Sequence, residues 1–148
     1  TRANPDAIMG SKVADISGED WDQGQGEGAY EAVVSTLVLE HLPFDRYKRT
    51  VEKCFRLLAP GGWLIAAEGY INEGIDMQEW FNQEMEDRRM RIDPAISDSV
   101  SRLRDEMENH YFASKEEKKI WWQKAGFSSV TVIWQHLCIA LMAGRKPI

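Results

Sequence analysis

Two apolar runs with one amphipathic segment between them constrain this 148-residue chain more than any other feature. The first run, Tyr30–Leu37, opens into a polar turn that closes on Pro43. From Phe44 to Leu58 the apolar residues Tyr47, Val51, Cys54, Phe55 and Leu58 recur at i, i+4, i+7, i+8 and i+11, which is one face of a helix. Pro60, Gly61 and Gly62 end that pattern, and Trp63–Glu68 is a second apolar run finishing in a carboxylate. Parallel strands buried on both faces read as continuous apolar runs, and a long crossover must join them. Residues 30–68 are therefore expected to form a strand–helix–strand unit of an α/β domain.

The flanks extend this reading. Residues 1–11 read as a helix tail and loop, broken at Asn4, Pro5 and Asp6. Lys12–Ile16 is short and β-capable, and residues 17–29 form a loop rich in glycine and acidic side chains. Residues 73–112 lose strand character: Met77, Trp80, Phe81 and Met85 suit one amphipathic helix, reaching toward Met90. After a break at Asp93 and Pro94, Val100, Leu103 and Met107 suit a second helix over 98–109. Ser114 followed by Glu117 has the spacing of a capping box, starting a helix through Trp121 and Trp122 that stops at Gly126. Val130, Val132 and Trp134 alternate as in a half-buried strand, and Leu137–Ala143 suits a strand buried on both faces. The expected organisation is one domain over residues 1–148, with 73–112 inserted as a helical lid.

Composition narrows the partners. Net charge is −6, which opposes a broad phosphate-binding surface and favours a small-molecule substrate over nucleic acid. Arg88, Arg89 and Arg91 make one local basic run, but Glu84, Glu86 and Asp87 lie at pairing distance along the same helix. Cys54 and Cys138 sit in apolar contexts far apart and read as reduced thiols of a cytoplasmic protein. Cysteine and histidine are too few, and too scattered, to suggest a metal site. No run reaches the ~20 apolar residues that span a bilayer, so no membrane association is expected.

The order of these parts resembles the later portion of a class I S-adenosylmethionine (SAM)-dependent methyltransferase. Three segments carry the likeness: residues 13–21, with Asp15 and Ile16 ahead of Glu19, Asp20 and Trp21; the LLAPGG turn at 57–62 leading into a strand; and residues 121–143 as a C-terminal antiparallel hairpin. The resemblance spans roughly Ala3 to Lys146 and implies a partial Rossmann-like methyltransferase sheet with that hairpin and a helical insertion. It implies SAM as cofactor, with Asp15 and Ile16 beside the adenine and Ser35 and Thr36 near the methionine part. The insertion and ending are also similar to the tRNA carboxymethyl-uridine methyltransferase group, in which Arg104 would match an arginine reaching a cofactor carboxylate. A tRNA-modifying enzyme is accordingly one alternative.

One departure shapes the expectation. The family's first strand and glycine-rich loop, which should precede Lys12, have no counterpart, so the chain is expected to be an incomplete domain. Gly24, Gly26 and Gly28 are spaced as G-x-G-x-G, yet they follow an acidic stretch and run into a strand. No helix N-terminus is left there for a ligand, so a surface connection is the better reading. In the family's sheet order the absent strands lie between 12–16 and 30–37, so Tyr30–Leu37 becomes an open apolar edge. Such an edge is a pairing hazard, so the expectation is that either a longer parent protein supplies the missing part or the edge pairs with a second copy in a homodimer. A second alternative follows: a non-catalytic interaction domain that dimerises through that edge.

Each candidate residue carries two readings. Asp15 is an adenine partner or a solvated loop carboxylate. Ser35 and Thr36 line a cofactor or cap a helix. His41 lies at the carboxyl end of a strand, where open α/β sheets bind ligands; it is a general base or a structural histidine capping a loop. Glu68 orients a substrate hydroxyl or amine, or is held by a nearby donor. Trp80 lines an aromatic acceptor pocket or belongs to the core, and Arg104 binds substrate or lies on a helix surface.

Overall fold

The computed structural model describes residues 10–71, 79, 83, 87, 91, 111–136 and 138–148. Strand β1 (Tyr30–Thr36) is followed by a 3₁₀ turn (Leu39–His41), helix α1 (Phe44–Leu57) and strand β2 (Leu58–Gly69). Helix α2 (Lys115–Lys124) then precedes strands β3 (Ser128–His136) and β4 (Ile139–Arg145). β1 and β2 pair in parallel, β2 and β4 antiparallel, and β4 and β3 antiparallel, so the sheet runs β1-β2-β4-β3. The strand–helix–strand expectation holds, and β3–β4 is the expected hairpin.

The core lies on one face of the sheet. Tyr47, Val51 and Cys54 of α1 are buried together with Leu58, Leu64 and Ala66 of β2, Trp122 of α2, and Phe127, Val130 and Met142 around the hairpin. Burial pushes the Cys54 thiol up to about 12, with the Asp22 charge adding to it, so this cysteine is an inert core residue. Cys54 and Cys138 are not joined by a disulfide. α2 begins as expected: the Ser114 hydroxyl accepts from the Glu117 amide while the Glu117 carboxylate accepts from the Ser114 amide.

Several expectations are corrected. Lys12–Ile16 forms no strand, because no neighbouring strand takes up its backbone groups. β2 begins at Leu58 rather than Trp63: Tyr30 pairs with Leu58 and Ala32 with Trp63, so residues 59–62 are accommodated as an irregularity within the strand. β3 is not half-buried in alternation. Only Val130 is buried, while Val132 and Trp134 are exposed, because β3 is an outer strand interrupted by bulges between Ser128 and Thr131 and between Val132 and Trp134. The last strand starts at Ile139, two residues later than expected. Glu79, Gln83, Asp87 and Arg91 are helical and exposed, with Gln83 donating to Asp87 at 3.1 Å. The expected second helix over 98–109 lies outside the described residues, as does the rest of the proposed lid. No helix among the described residues is long and apolar enough to cross a membrane.

β1 is the other outer strand, as expected of an open edge, and its Val34 side chain is 68% exposed. The β1–β2 junction leaves no room for a side chain at residue 62: a Cβ there would stand 2.9 Å from the Ala59 carbonyl and 3.0 Å from that of Glu31. Both contacts are backbone and cannot swing away. Gly62→Ala is expected to destabilise the fold by about 1–3 kcal/mol, read as a lower urea midpoint with unchanged m-value.

Candidate functional site

The carboxyl ends of β1 and β2 and the loop before β1 carry the sequence-derived candidates. Along β1, Ser35 pairs with Ala66 and is half-buried, while Thr36 pairs with Ala67 and is exposed. Successive strand residues point to opposite faces, so the two hydroxyls diverge. Neither caps α1, whose N-cap is Pro43 without a side-chain bond. The chain then turns sharply: Leu37 adopts φ 52° while its amide donates to the Ala67 carbonyl at 2.8 Å. A leucine in the left-handed region costs roughly 1–2 kcal/mol, which the packed strand end must offset. His41 follows at the end of the 3₁₀ turn, exposed, with its amide donating to the Val38 carbonyl.

Asp15 is fully exposed, and its carboxylate accepts from both the hydroxyl and the amide of Ser17. Those two bonds hold its pKa below the usual carboxylate range. Ile16 is half-buried and lines a cavity of about 420 Å³ together with Lys12, Ala14, Trp21, Tyr30, Ala32 and Val33. The Trp21 indole Nε1 is buried without a hydrogen-bond partner. Ser35 and Thr36 do not line this cavity, which opens on the amino-terminal half of β1. The structure thus sets Ile16, in the loop, beside the amino-terminal half of β1 and leaves Ser35 and Thr36 at its carboxyl end.

The loop is fastened to α1 by charge. Asp22 is buried and accepts from Lys53 at 2.9 Å and from Arg56, while Glu19 pairs with Arg46 and Arg49. The Lys53 hydrogen bond is the main cause holding the Asp22 carboxyl low, with the Lys53 and Arg56 charges adding to it. Gly24 and Gly28, both at positive φ, form turns of this loop. The glycine triplet is therefore a surface connection, as expected.

Glu68 does not face a crevice. It has no solvent exposure and is paired with Lys118 of α2, which has none either. Its other oxygen accepts from the Tyr47 hydroxyl at 3.1 Å, and that hydroxyl in turn accepts from Trp122 Nε1 at 2.9 Å. The Lys118 ammonium also sits 4.8 Å from the Tyr47 ring centroid and 4.6 Å from that of Tyr70. Burial pushes the Glu68 carboxyl up, against the pull of Lys118 and Tyr47. Of the two readings for Glu68, the structure supports the held carboxylate. Lys118, Asp22 and Glu40 are not candidates on sequence grounds, and Tyr47 reads there only as part of the apolar face of α1; the one signal for Lys118 is that it stands four residues before Trp122, on the same helix face. Trp80 and Arg104 lie outside the described residues.

Comparison with known proteins places this geometry. Residues 10–66 match the family model of a methyltransferase domain. Over 57 residues the chain is 37% identical to an uncharacterized methyltransferase of Emericella nidulans, a match covering 38% of this chain and 19% of that protein. An O-methyltransferase family protein from Burkholderia thailandensis superposes with a TM-score of 0.57 at 17% identity, over 90% of this chain and 34% of that one. Human N-acetylserotonin methyltransferase, solved in complex with SAM, gives 0.56 at 14% identity, over 93% and 33%. The chain thus spans a fifth to a third of these relatives. Its sheet is the partial Rossmann-like methyltransferase fold.

Two outcomes follow from the charges. Lys118→Met strands a buried carboxylate and is expected to cost about 3–5 kcal/mol; adding Glu68→Gln should recover part of that loss in equilibrium unfolding. Because the folded pKa of Asp22 lies below its unfolded value of about 3.9, its contribution is present above that value and is lost as pH falls through the folded one. Trp21 fluorescence is expected to report loosening of the loop on acidification below about pH 4, with a weaker acid dependence in Asp22→Asn.

Proposed function

The chain carries a class I methyltransferase fold, and we propose that it is part of a SAM-dependent methyltransferase acting on a small-molecule acceptor. The observation that carries this reading is the methyltransferase-family match over residues 10–66, which contain β1, α1 and the Asp15–Trp21 segment. SAM, when bound, supplies an electrophilic methyl group on a sulfonium. Its purine asks for a mostly apolar slot, and the 420 Å³ cavity lined by Ile16, Trp21, Ala14, Ala32 and Val33 offers one. Asp15, next to it and exposed, is placed to accept from an exocyclic amine. The fit ends there. Ser35 and Thr36 lie beyond that cavity, so the described residues match the cofactor only at its purine end, and no catalytic step is derived through it.

The chain's own residues divide the remaining work. His41 is exposed on the turn at the carboxyl end of β1, and in this reading its imidazole acts as the general base toward an acceptor hydroxyl or amine. Glu68 has both oxygens engaged and instead fixes α1 and α2 against the end of β2. Thr36 offers a hydroxyl on the exposed side of the strand end. An acceptor contact from Trp80 or Arg104 belongs to the same proposal.

One observation favours a second reading. An outer strand with Val34 68% exposed is suited to pairing with a second copy, as in a methyltransferase-like interaction domain. Calorimetric titration with S-adenosylhomocysteine separates the two. Micromolar binding, weakened by Trp21→Ala, is expected for the cofactor reading; no heat at millimolar ligand would sink it for this chain. For the second reading, light scattering should show a dimer that Val34→Lys dissociates, and a monomeric wild-type chain would rule the pairing out.

A further inference from the structure

Ion pairs run between the loop ahead of β1 and one stripe of α1. Arg46, Arg49, Lys53 and Arg56 recur at i, i+3, i+7 and i+10 and so share a face of the helix. Glu19 meets the first two, Asp22 meets the last two, and Glu27 lies 3.7 Å from Arg56. The acidic residues thus meet the basic stripe in chain order. The pairs are unequal. Glu19 is 57% exposed, and pairs of that kind contribute little. The Asp22 and Lys53 side chains are only 6% and 16% exposed, and their contact at 2.9 Å is largely shielded from solvent. A backbone bond from the Gly28 amide to the Arg56 carbonyl, at 3.0 Å, closes the far end of the loop on the same helix.

None of these paired side chains lines the cavity beside β1, yet they hold one of its walls. Ile16, Trp21 and Gln25 line it from the loop, Tyr30 and Val33 from β1, and Leu57 from α1. Asp22 follows Trp21 directly, and the Lys53 ammonium that meets Asp22 also stands 5.6 Å from the centroid of the Trp21 ring. Lys12, itself at the cavity, donates to the carbonyls on either side of Asp22, that of Trp21 at 3.2 Å and that of Gln23 at 3.1 Å. We propose that Asp22, Lys53 and Arg56 are positioning residues: they form a charged clasp that holds the Ile16–Trp21 wall beside β1, so that closing the clasp and filling the cavity are one coupled equilibrium. Such coupling is reciprocal, and a change that loosens the clasp weakens a ligand by the factor with which that ligand tightens the clasp. A neutral apolar ligand, with no charge of its own to satisfy, thereby depends on an ion pair that it never touches. The inference concerns the cavity itself and stands apart from the proposed methyl transfer.

The test titrates the whole chain with the uncharged dye N-phenyl-1-naphthylamine, alongside acrylamide quenching of Trp21 taken as the difference from Trp21→Phe. Wild type is expected to bind the dye and to shield Trp21. Ala14→Trp, a larger side chain on the loop wall, should block the dye and so place it in the cavity. Lys53→Met and Asp22→Asn, each confirmed folded by circular dichroism, should weaken the dye roughly tenfold and raise the quenching of Trp21. The double variant should bind no worse than the weaker single one, because all three lose the same pair. Lys53→Arg, which keeps the charge, should recover most of the affinity, and Glu19→Gln, whose pairs are exposed, should change little. If Lys53→Met does not fold, Arg56→Gln, half-exposed on the helix, takes its place with a loss in the same direction. Folded clasp variants that bind the dye as wild type does overturn the proposal, as do losses that add in the double variant. So does a wild-type chain that takes up no dye, or one whose dye survives Ala14→Trp. A chain whose clasp variants weaken the dye, but which does not bind S-adenosylhomocysteine, sinks the cofactor reading alone and leaves the clasp standing.

Discussion

A lysine and a glutamate with no solvent exposure hold the end of this sheet to its helices. Lys118 reaches inward from α2 to meet Glu68 on β2, and Tyr47 of α1 and Trp122 of α2 complete the chain of donors. Burying two charges is expensive, and only close pairing with further hydrogen bonds offsets it. That demand disciplines the surroundings. α1 must present Tyr47 at one register, the capping box must start α2 where Lys118 points inward, and β2 must place Glu68 on the helix-covered face. A purely apolar junction would tolerate sliding. This one specifies a single arrangement, much as isolated polar groups fix register in other packed helices.

The same arrangement packs the carboxyl end of the sheet against both helices, whereas its outer flank carries a cavity. Around Glu68, two helices, the strand end and the 3₁₀ turn meet, and the turn delivers His41 to the surface. Along the far side of β1, by contrast, the loop ahead of the strand leans on it among the described residues, fastened by Asp22 and leaving a cavity at its base. The residues expected around one cofactor are consequently split: Ile16 belongs to the cavity, and Ser35 and Thr36 to the strand end.

Much of this was legible in the sequence, for identifiable reasons. The 3.6-residue recurrence from Tyr47 to Leu58 and the apolar runs on either side specify the β1–α1–β2 unit through local pattern alone, and Ser114 with Glu117 specifies the start of α2. Lys12–Ile16 misled because a strand is defined by its neighbours, and this segment has none among the described residues. Val132 and Trp134 misled because alternation records which side chains could be buried, while exposure on β3 follows from its outer position and its bulges. Lys118 was illegible for another reason: in the run from Lys115 to Lys119 every charged residue looks solvated, and only its partner 50 residues away marks one as internal. Glu68 carried both of its readings in the sequence, and tertiary contact alone selects between them.

The sequence distance across that pair has a kinetic meaning. Strands β1 and β2 are joined through α1 within some forty residues, so this unit can assemble through short-range closure. The bonds from α2, at separations of 50 and 75 residues, close a far longer loop and suit a step taken after the local unit has condensed. An interaction formed after the rate-limiting barrier does little to hasten folding and acts instead to delay unfolding. On this view the buried ion pair is less a nucleus than a lock: it governs how long the finished domain survives, and has little influence on how quickly it is made.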